Sequence, residues 1–192
     1  MIAIIKYNGG NTQSVQNALQ RLNTPSKVTD DPIEILGAEK VIFPGVGHAQ
    51  SAMNSLVEKG LDQLIPQLSQ PVLGICLGMQ LMCEYSEEGG VQGLGIFPNT
   101  VRRFKSKKDI IPHMGWNAIR GKGQLVAGIP ENSHVYFTHS YYAECSTYTS
   151  AICDYIQPFS AALEKDNFFA TQFHPEKSST VGRQILKNFI AL

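Results

Sequence analysis

The stretch Pro71-Val72-Leu73-Gly74-Ile75-Cys76-Leu77-Gly78-Met79-Gln80-Leu81-Met82 constrains this chain more than any other. Val72, Leu73 and Ile75 read as a short buried strand. Leu77, Met79, Gln80, Leu81 and Met82 are good helix formers and read as the start of a helix. Cys76 stands between them, with Gly74 two residues before it and Gly78 two residues after. This is the thiol counterpart of the G-x-S-x-G nucleophile elbow. In so tight a strand-to-helix bend, side chains at the second positions either way collide with neighbouring backbone, so both must be small. The bend leaves the sulfur at a helix N-terminus, where free N–H groups and the positive dipole end favour a thiolate. A free cysteine is also an ordinary small core residue. Only a partner base distinguishes a nucleophile from that.

The base is found in Thr171-Gln172-Phe173-His174-Pro175-Glu176-Lys177-Ser178. Pro175 pushes His174 out of the α region. In an extended chain residues i and i+2 project to the same side, which sets Glu176 to hydrogen-bond one imidazole nitrogen while the other faces a thiol. Nucleophile, base and orienting carboxylate form the arrangement of cysteine acyl-transfer enzymes. Alone, His-Pro-Glu fits a surface turn equally well; together with the elbow it points to chemistry. Acyl transfer also needs donors for an oxyanion. The Leu77 N–H, directly after the nucleophile, is one candidate. The loop Pro44-Gly45-Val46-Gly47 offers others, at Gly45 and Val46, although its glycines suit a plain strand-to-helix turn just as well.

Strand and helix patterns alternate over residues 1–100. Ile2 to Tyr7, Ser26 to Thr29, Val41 to Phe43 and the elbow strand are separated by helical segments, among them one with Val15, Ala18, Leu19 and Leu22 on one face. This alternation predicts an α/β fold with a mostly parallel sheet and helices on both faces. Asn8 to Gly10, Pro44 to Gly47 and Cys76 then gather at the carboxyl ends of the strands, where such sheets place their sites. After about residue 95 short β-like segments dominate: Val101–Phe104, Val135–Thr138, Tyr141–Glu144, Ala151–Ile156, Ala161–Glu164 and Phe168–Phe173. They predict added antiparallel strands in the C-terminal half, before a last helix carrying Val181, Ile185, Leu186, Phe189 and Ile190. No repeat or long linker divides the chain, so residues 1–192 are expected to form a single domain.

The formal net charge is zero, which gives no electrostatic reason to expect nucleic acid or an anionic membrane as partner. No apolar run reaches the length of a membrane span, and Met1 to Tyr7 reads as a first strand rather than a secretory leader. The four cysteines, at 76, 83, 145 and 153, show neither a C-x-x-C pair nor zinc spacing. Reduced thiols, no metal and a cytoplasmic location are the expectations. Cys83 is expected on the elbow helix; Cys145 and Cys153 stand where a hairpin would let them face each other, and read as thiols. Lys105 to Lys108 reads as a solvated loop tip.

Gly74-Ile75-Cys76-Leu77-Gly78-Met79-Gln80, taken with Gln172 to Ser178, resembles the class I, triad-type glutamine amidotransferases. Pro44 to Gly47, Gly90 to Phe97, Pro112-His113-Met114-Gly115-Trp116-Asn117 and Tyr136 to Tyr141 narrow the resemblance to the amidotransferase subunits of imidazole glycerol phosphate synthases, which serve histidine biosynthesis. The likeness covers essentially the whole chain, and Pro112 to Asn117 is its most discriminating part. One departure is Tyr7-Asn8-Gly9-Gly10-Asn11, where the family usually reads Y-G-x-G-N.

The resemblance implies that Cys76 attacks the side-chain amide of glutamine, that His174 moves the proton and that Glu176 orients His174. It implies that Gly47, Gln80, Glu88, Ser140 and Tyr141 hold the glutamine, the Glu88 carboxylate suiting its ammonium. It implies no cofactor. It also implies a heterodimer with a cyclase subunit, a (β/α)8 barrel that Met114, Trp116, Asn117, Tyr136 and Lys177 contact and into which the ammonia is channelled. Sealing that route keeps ammonia from being protonated in water. Two other readings stay open on sequence: the same glutaminase chemistry feeding another synthase, such as a surface-sugar amidotransferase, and a glutamine-binding regulatory subunit without turnover. The complete triad speaks against the second.

Overall fold

The computed structural model describes residues 1–192. Strand β1 (Ile2–Ile5) leads to helix α1 (Thr12–Gln20), β2 (Ser26–Thr29), α2 (Pro32–Leu36) and β3 (Lys40–Gly45). Helices α3 (Ala49–Glu58) and α4 (Leu61–Leu64) precede the elbow strand β4 (Val72–Cys76) and the elbow helix α5 (Leu77–Met82). The second half holds β5 (Cys83–Ser86), β6 (Val91–Gln92), β7 (Phe97–Arg103), β8 (His113–Gly121), β9 (Ser133–His139), β10 (Tyr141–Ala143), β11 (Thr149–Tyr155), β12 (Gln157–Lys165), β13 (Phe168–Thr171) and α6 (Ser179–Ala191).

The main sheet has nine strands in the order β2-β1-β3-β4-β13-β12-β11-β8-β9, and a second sheet has four in the order β10-β7-β5-β6. The first five strands of the main sheet are parallel and the last four add to it antiparallel. Alternate residues of each central strand face opposite layers. Ala3, Ile5, Val41, Phe43 and Val72 pack under Ala52, Leu56 and Leu61 of α3 and α4. Ile2, Ile4, Ile42, Leu73 and Ile75 pack under Val15 and Leu19 of α1 and Ile185, Leu186 and Phe189 of α6. The caps match the residues supplied: Asn11 accepts from the Ser14 N–H at 3.4 Å, and Asp31, with Pro32 after it, accepts from the Ile33 N–H at 2.8 Å. No helix is long and apolar enough to cross a membrane.

Several expectations need correction. The elbow helix ends at Met82, so Cys83 opens β5 instead of continuing the helix, although it is buried as a core residue would be. Phe168 to Thr171 is not an antiparallel addition: β13 runs parallel to β4, with Phe168 opposite Val72 and Thr171 opposite Ile75. Strand β8, nine residues long, has no alternating signal in the sequence, because its inward positions include His113 and Gly115 and its outward ones Met114 and Trp116. That order inverts the usual apolar-in, polar-out signal. All four cysteines are free thiols, Cys145 exposed and Cys153 buried.

Candidate active site

Cys76 adopts φ 54°, ψ −108° and stands directly before α5. A non-glycine residue in that region carries strain of about 1–3 kcal/mol, held only where packing over-determines it. Packing does so here. A Cβ on Gly78 would run into the Phe43 carbonyl of β3, and one on Gly74 into the Met82 sulfur and, at 3.0 Å, the Met79 N. The neighbouring strand fits as tightly: a Cβ on Gly45, which pairs with Cys76 across β3 and β4, would lie 2.5 Å from Gly78 N and 2.7 Å from the Tyr7 hydroxyl. Three glycines thus allow α5 to start flush against the sheet with the sulfur above it.

Strand β13 brings the base. Because β13 lies beside β4, the chain leaving it delivers His174 to the end of the elbow strand. The His174 backbone is extended, as the following proline requires, but Pro175 to Lys177 forms a 3₁₀ turn. The alternation of an extended chain therefore does not apply to Glu176. The turn folds its carboxylate back instead, and Oε1 meets His174 Nδ1 at 2.8 Å, with both side chains 1% exposed. His174 Nε2 is buried and without a hydrogen-bond partner. Burial alone would depress the imidazole pKa; a Cys76 thiolate first, and Glu176 second, outweigh it and hold His174 up to about 10. Its backbone is clamped as well. His174 N–H donates to the Tyr136 carbonyl at 3.0 Å, and Ser178 Oγ donates to the His174 carbonyl at 2.7 Å while accepting the Tyr136 N–H at 2.9 Å.

A cavity of about 260 Å³ opens over Cys76 and His174. That is somewhat below the roughly 300–1,000 Å³ of pockets for drug-sized ligands and suits a single amino acid. Val46, Gly47, Leu77, Gln80, Glu88, Ser140 and Tyr141 line it, together with the Thr138 and His139 positions. Every proposed glutamine-holding residue is therefore at one place, drawn from the end of β3, from α5, from the loop after β5 and from the junction of β9 and β10. Glu88 Oε2 accepts the Ala49 N–H at 2.8 Å, which anchors the carboxylate on the N-terminus of α3, where the helix otherwise has no side-chain cap. Gln80 is committed inward: its Nε2 donates to the Tyr141 carbonyl at 2.8 Å and to Gln172 Oε1 at 3.0 Å.

The loop Pro44 to Gly47, expected to offer oxyanion donors, holds a defined orientation. The Val46 N–H donates to the Gly9 carbonyl at 2.6 Å, and the Tyr7 hydroxyl donates to the Pro44 carbonyl at 2.8 Å. The Val46 donor is thus occupied away from the cavity, and because a trans peptide is planar the Gly45 carbonyl points opposite to it. Gly47, at φ 107°, follows in a conformation that favours glycine.

Gln172 joins the site without having been evident from the sequence pattern. It is fully buried, and its Nε2 donates to Cys76 Sγ at 3.8 Å. The Gln80 donor fixes which end of the Gln172 carboxamide is oxygen, so the N–H₂ end faces the sulfur. The signal for it was a glutamine in an otherwise apolar run, two residues before the base. Ser178, which clamps His174, carried no comparable signal.

Of the residues assigned to a partner surface, Met114 and Trp116 are 64% and 53% exposed. Trp116 pairs with Tyr136 across β8 and β9, ring centroids 6.0 Å apart, and Lys177 is exposed directly after Glu176. Asn117 differs. It alternates away from Trp116, and its carboxamide reaches His113 and the Asp154 carbonyl.

The family model for class I glutamine amidotransferases matches residues 3–192. The chain is 56% identical over 194 residues to the imidazole glycerol phosphate synthase subunit HisH of Bacteroides fragilis, covering 100% of this chain and 99% of that protein. It is 44% identical to the subunit HisH 2 of Legionella pneumophila, covering 100% of this chain and 98% of that protein. A solved glutamine amidotransferase structure superposes with a TM-score of 0.77 over 99% of this chain and 97% of that one, at 17% identity, a likeness of fold alone.

Proposed function

The chain belongs to the class I glutamine amidotransferase family, and on that premise we propose that residues 1–192 act as one cytoplasmic domain that hydrolyses glutamine and delivers the ammonia to a cyclase making imidazole glycerol phosphate. The observation that carries the reading is the meeting of an elbow cysteine and a carboxylate-oriented histidine over one amino-acid-sized cavity. Glu88 holds the substrate ammonium. The Cys76 thiolate attacks the side-chain amide carbon, and the carbonyl oxygen takes up the negative charge. His174 passes its Nε2 proton to the amide nitrogen, the C–N bond breaks, and ammonia leaves a glutamyl thioester on Cys76. His174, now neutral, takes a proton from water, and the hydroxide releases glutamate and regenerates the thiolate. Glu176 keeps Nδ1–H in place through both steps.

The customer is read from the HisH relatives and from the surface. The exposed Trp116 packs edge-on against the half-buried Tyr136, Lys177 is exposed in the turn that β9 holds, and tryptophan and tyrosine are frequent anchors of interfaces. That patch suits a cyclase subunit, a (β/α)8 barrel, seated over the mouth of the cavity so that ammonia leaves into it. Cys76→Ala tests the division of labour. In the complex it is expected to abolish glutamine-dependent synthesis and leave ammonia-dependent synthesis within about twofold of the unaltered protein. Equal loss of both activities in a folded complex overturns the reading.

A further inference from the structure

Behind the Ser140–Tyr141 wall of the cavity lies a buried polar chain to which the reaction above assigns no role. His113 and His139 sit directly opposite each other on β8 and β9. They are 4% and 6% exposed, and His113 Nδ1 lies 2.9 Å from His139 Nε2. His113 stacks on Tyr155 at 3.9 Å and on Phe137 at 4.7 Å, and Phe104 and Phe159 close the rest of the nest. No carboxylate pairs with either ring. Burial pushes His113 down to about 4 and, with help from neighbouring histidines, His139 down to about 3, so both are neutral at ordinary pH.

Neutrality and contacts fix every proton. The Tyr141 carbonyl, 2.8 Å from His139 Nδ1, can only accept, so Nδ1 carries the hydrogen. Nε2 of a neutral His139 is then an acceptor, so His113 Nδ1 carries the hydrogen between them. Nε2 of a neutral His113 is in turn an acceptor, and it takes the Asn117 Nδ2 donor at 3.3 Å. The other Asn117 N–H goes to the Asp154 carbonyl at 3.2 Å, and its Oδ1 accepts the Ala118 N–H at 2.8 Å. The chain therefore runs one way, Asn117 to His113 to His139 to Tyr141, with each member satisfied. Its end point is the carbonyl that also receives Gln80, the residue that in turn positions Gln172 under the nucleophile. Tyr141 lies where the chain leaves the nine-stranded sheet and enters the four-stranded one, so ladder bonds of the main sheet end before it.

We infer that Asn117, His113 and His139 are positioning residues for the glutamine pocket, holding the Tyr141 carbonyl and through it Gln80 and the Ser140–Tyr141 wall. The inference rests on the glutaminase reading of that pocket. A fully satisfied buried network specifies one arrangement, whereas a broken one leaves a desolvated donor or acceptor behind.

The test has a spectroscopic and a kinetic part, both on the complex with the cyclase. Imidazole nitrogen NMR of the unaltered protein at pH 7 is expected to show His113 and His139 neutral and both in the Nδ1–H form. An Nε2–H form of either ring overturns the proposal whether or not any variant folds. For glutamine hydrolysis, His139→Phe is expected to raise KM by about tenfold and to change kcat by less than KM. His139→Asn, whose Nδ2 donor stands in the place of Nδ1, is expected to restore most of the KM. Unchanged KM in the folded Phe variant, or no recovery in a folded Asn variant, overturns the assignment. Alkylation of Cys76 separates this from the underlying function. A glutamine-shaped diazoketone should label the Phe variant about tenfold more slowly and iodoacetamide at an unchanged rate. An unaltered complex that fails to hydrolyse glutamine would instead sink the glutaminase reading itself.

Discussion

Gly9→Ala isolates the latch on the Pro44–Gly47 loop, the proposed source of an oxyanion donor. The Gly9 carbonyl accepts the Val46 N–H at 2.6 Å, and a Cβ on Gly9 would stand 2.8 Å from Tyr7 Cε2 and 3.2 Å from the Val46 carbonyl. The new methyl must push either the tyrosine ring or the Val46 peptide away. The ring is pinned by its hydroxyl on the Pro44 carbonyl at 2.8 Å and by packing against Phe43, centroids 5.3 Å apart, so the loop is the softer side. A backbone hydrogen bond contributes about 0.5–1.5 kcal/mol net. Weakening it raises, about two- to tenfold, the population of a turned loop in which the Gly45–Val46 peptide is flipped so that the Val46 N–H faces the cavity. The ceiling is set by the donor that the turned loop supplies, which in acyl-transfer enzymes amounts to about a hundred- to a thousandfold in rate. Turnover of glutamine by the free subunit is therefore expected to rise about two- to tenfold in Gly9→Ala. Turnover in the cyclase complex with acceptor or product bound should change little, because there differential binding to the turned loop supplies the bias. The assay is steady-state glutamate release by the subunit alone, with cyclase, and with cyclase plus ligand. Unaltered subunit turning over equally in all three conditions, or a folded Gly9→Ala no faster than the unaltered subunit alone, refutes the latch.

Three further outcomes are expected. Trp116→Ala and Lys177→Ala should each weaken cyclase binding with the fold intact, Trp116→Ala by on the order of tenfold or more; a titration showing unchanged affinity for both removes this face from the interface. Gln172→Met takes the donor from Cys76 Sγ and the acceptor from Gln80, and glutaminase kcat in the complex should fall about ten- to a hundredfold, as for a hydrogen bond to a charged group; an unchanged kcat means that Gln172 only fills space. His113 and His139, lowered by burial to about 4 and about 3, should make the fold fully stable above the unfolded histidine pKa near 6.5 and progressively less stable as pH falls from there towards 4, by up to about 1.4 kcal/mol per pH unit for each. His174, raised to about 10, has the opposite sign and is already fully contributing below 6.5, so a melting temperature that stays flat from pH 7 to pH 5 contradicts the two buried neutral rings.

What the sequence disclosed about this site is what local sterics enforce. Gly74 and Gly78 announce the elbow because no other residue fits beside Met82 and under the Phe43 carbonyl. Gly74 meets its neighbours within the bend and Gly78 meets the strand beside it, and both close contacts come with an elbow seated on a sheet, so spacing alone reveals them. The pairing of His174 with Glu176 was also legible, although through an extended-chain argument where a 3₁₀ turn makes the contact. The dihistidine chain was not legible. Two histidines separated by twenty-five residues look like surface polar residues until the register of β8 on β9 places them face to face, and that register depends on a strand whose inward face is not apolar. Cross-strand pairing likewise hid the tie between the outer surface and the base. Strand β9 presents Tyr136 outward against Trp116, while the Tyr136 carbonyl holds the His174 N–H and the Tyr136 N–H holds Ser178. A body docking on Trp116 and Tyr136 therefore bears on the strand that holds the His174 backbone, one hydrogen bond away, and can favour one placement of His174 without touching the cavity.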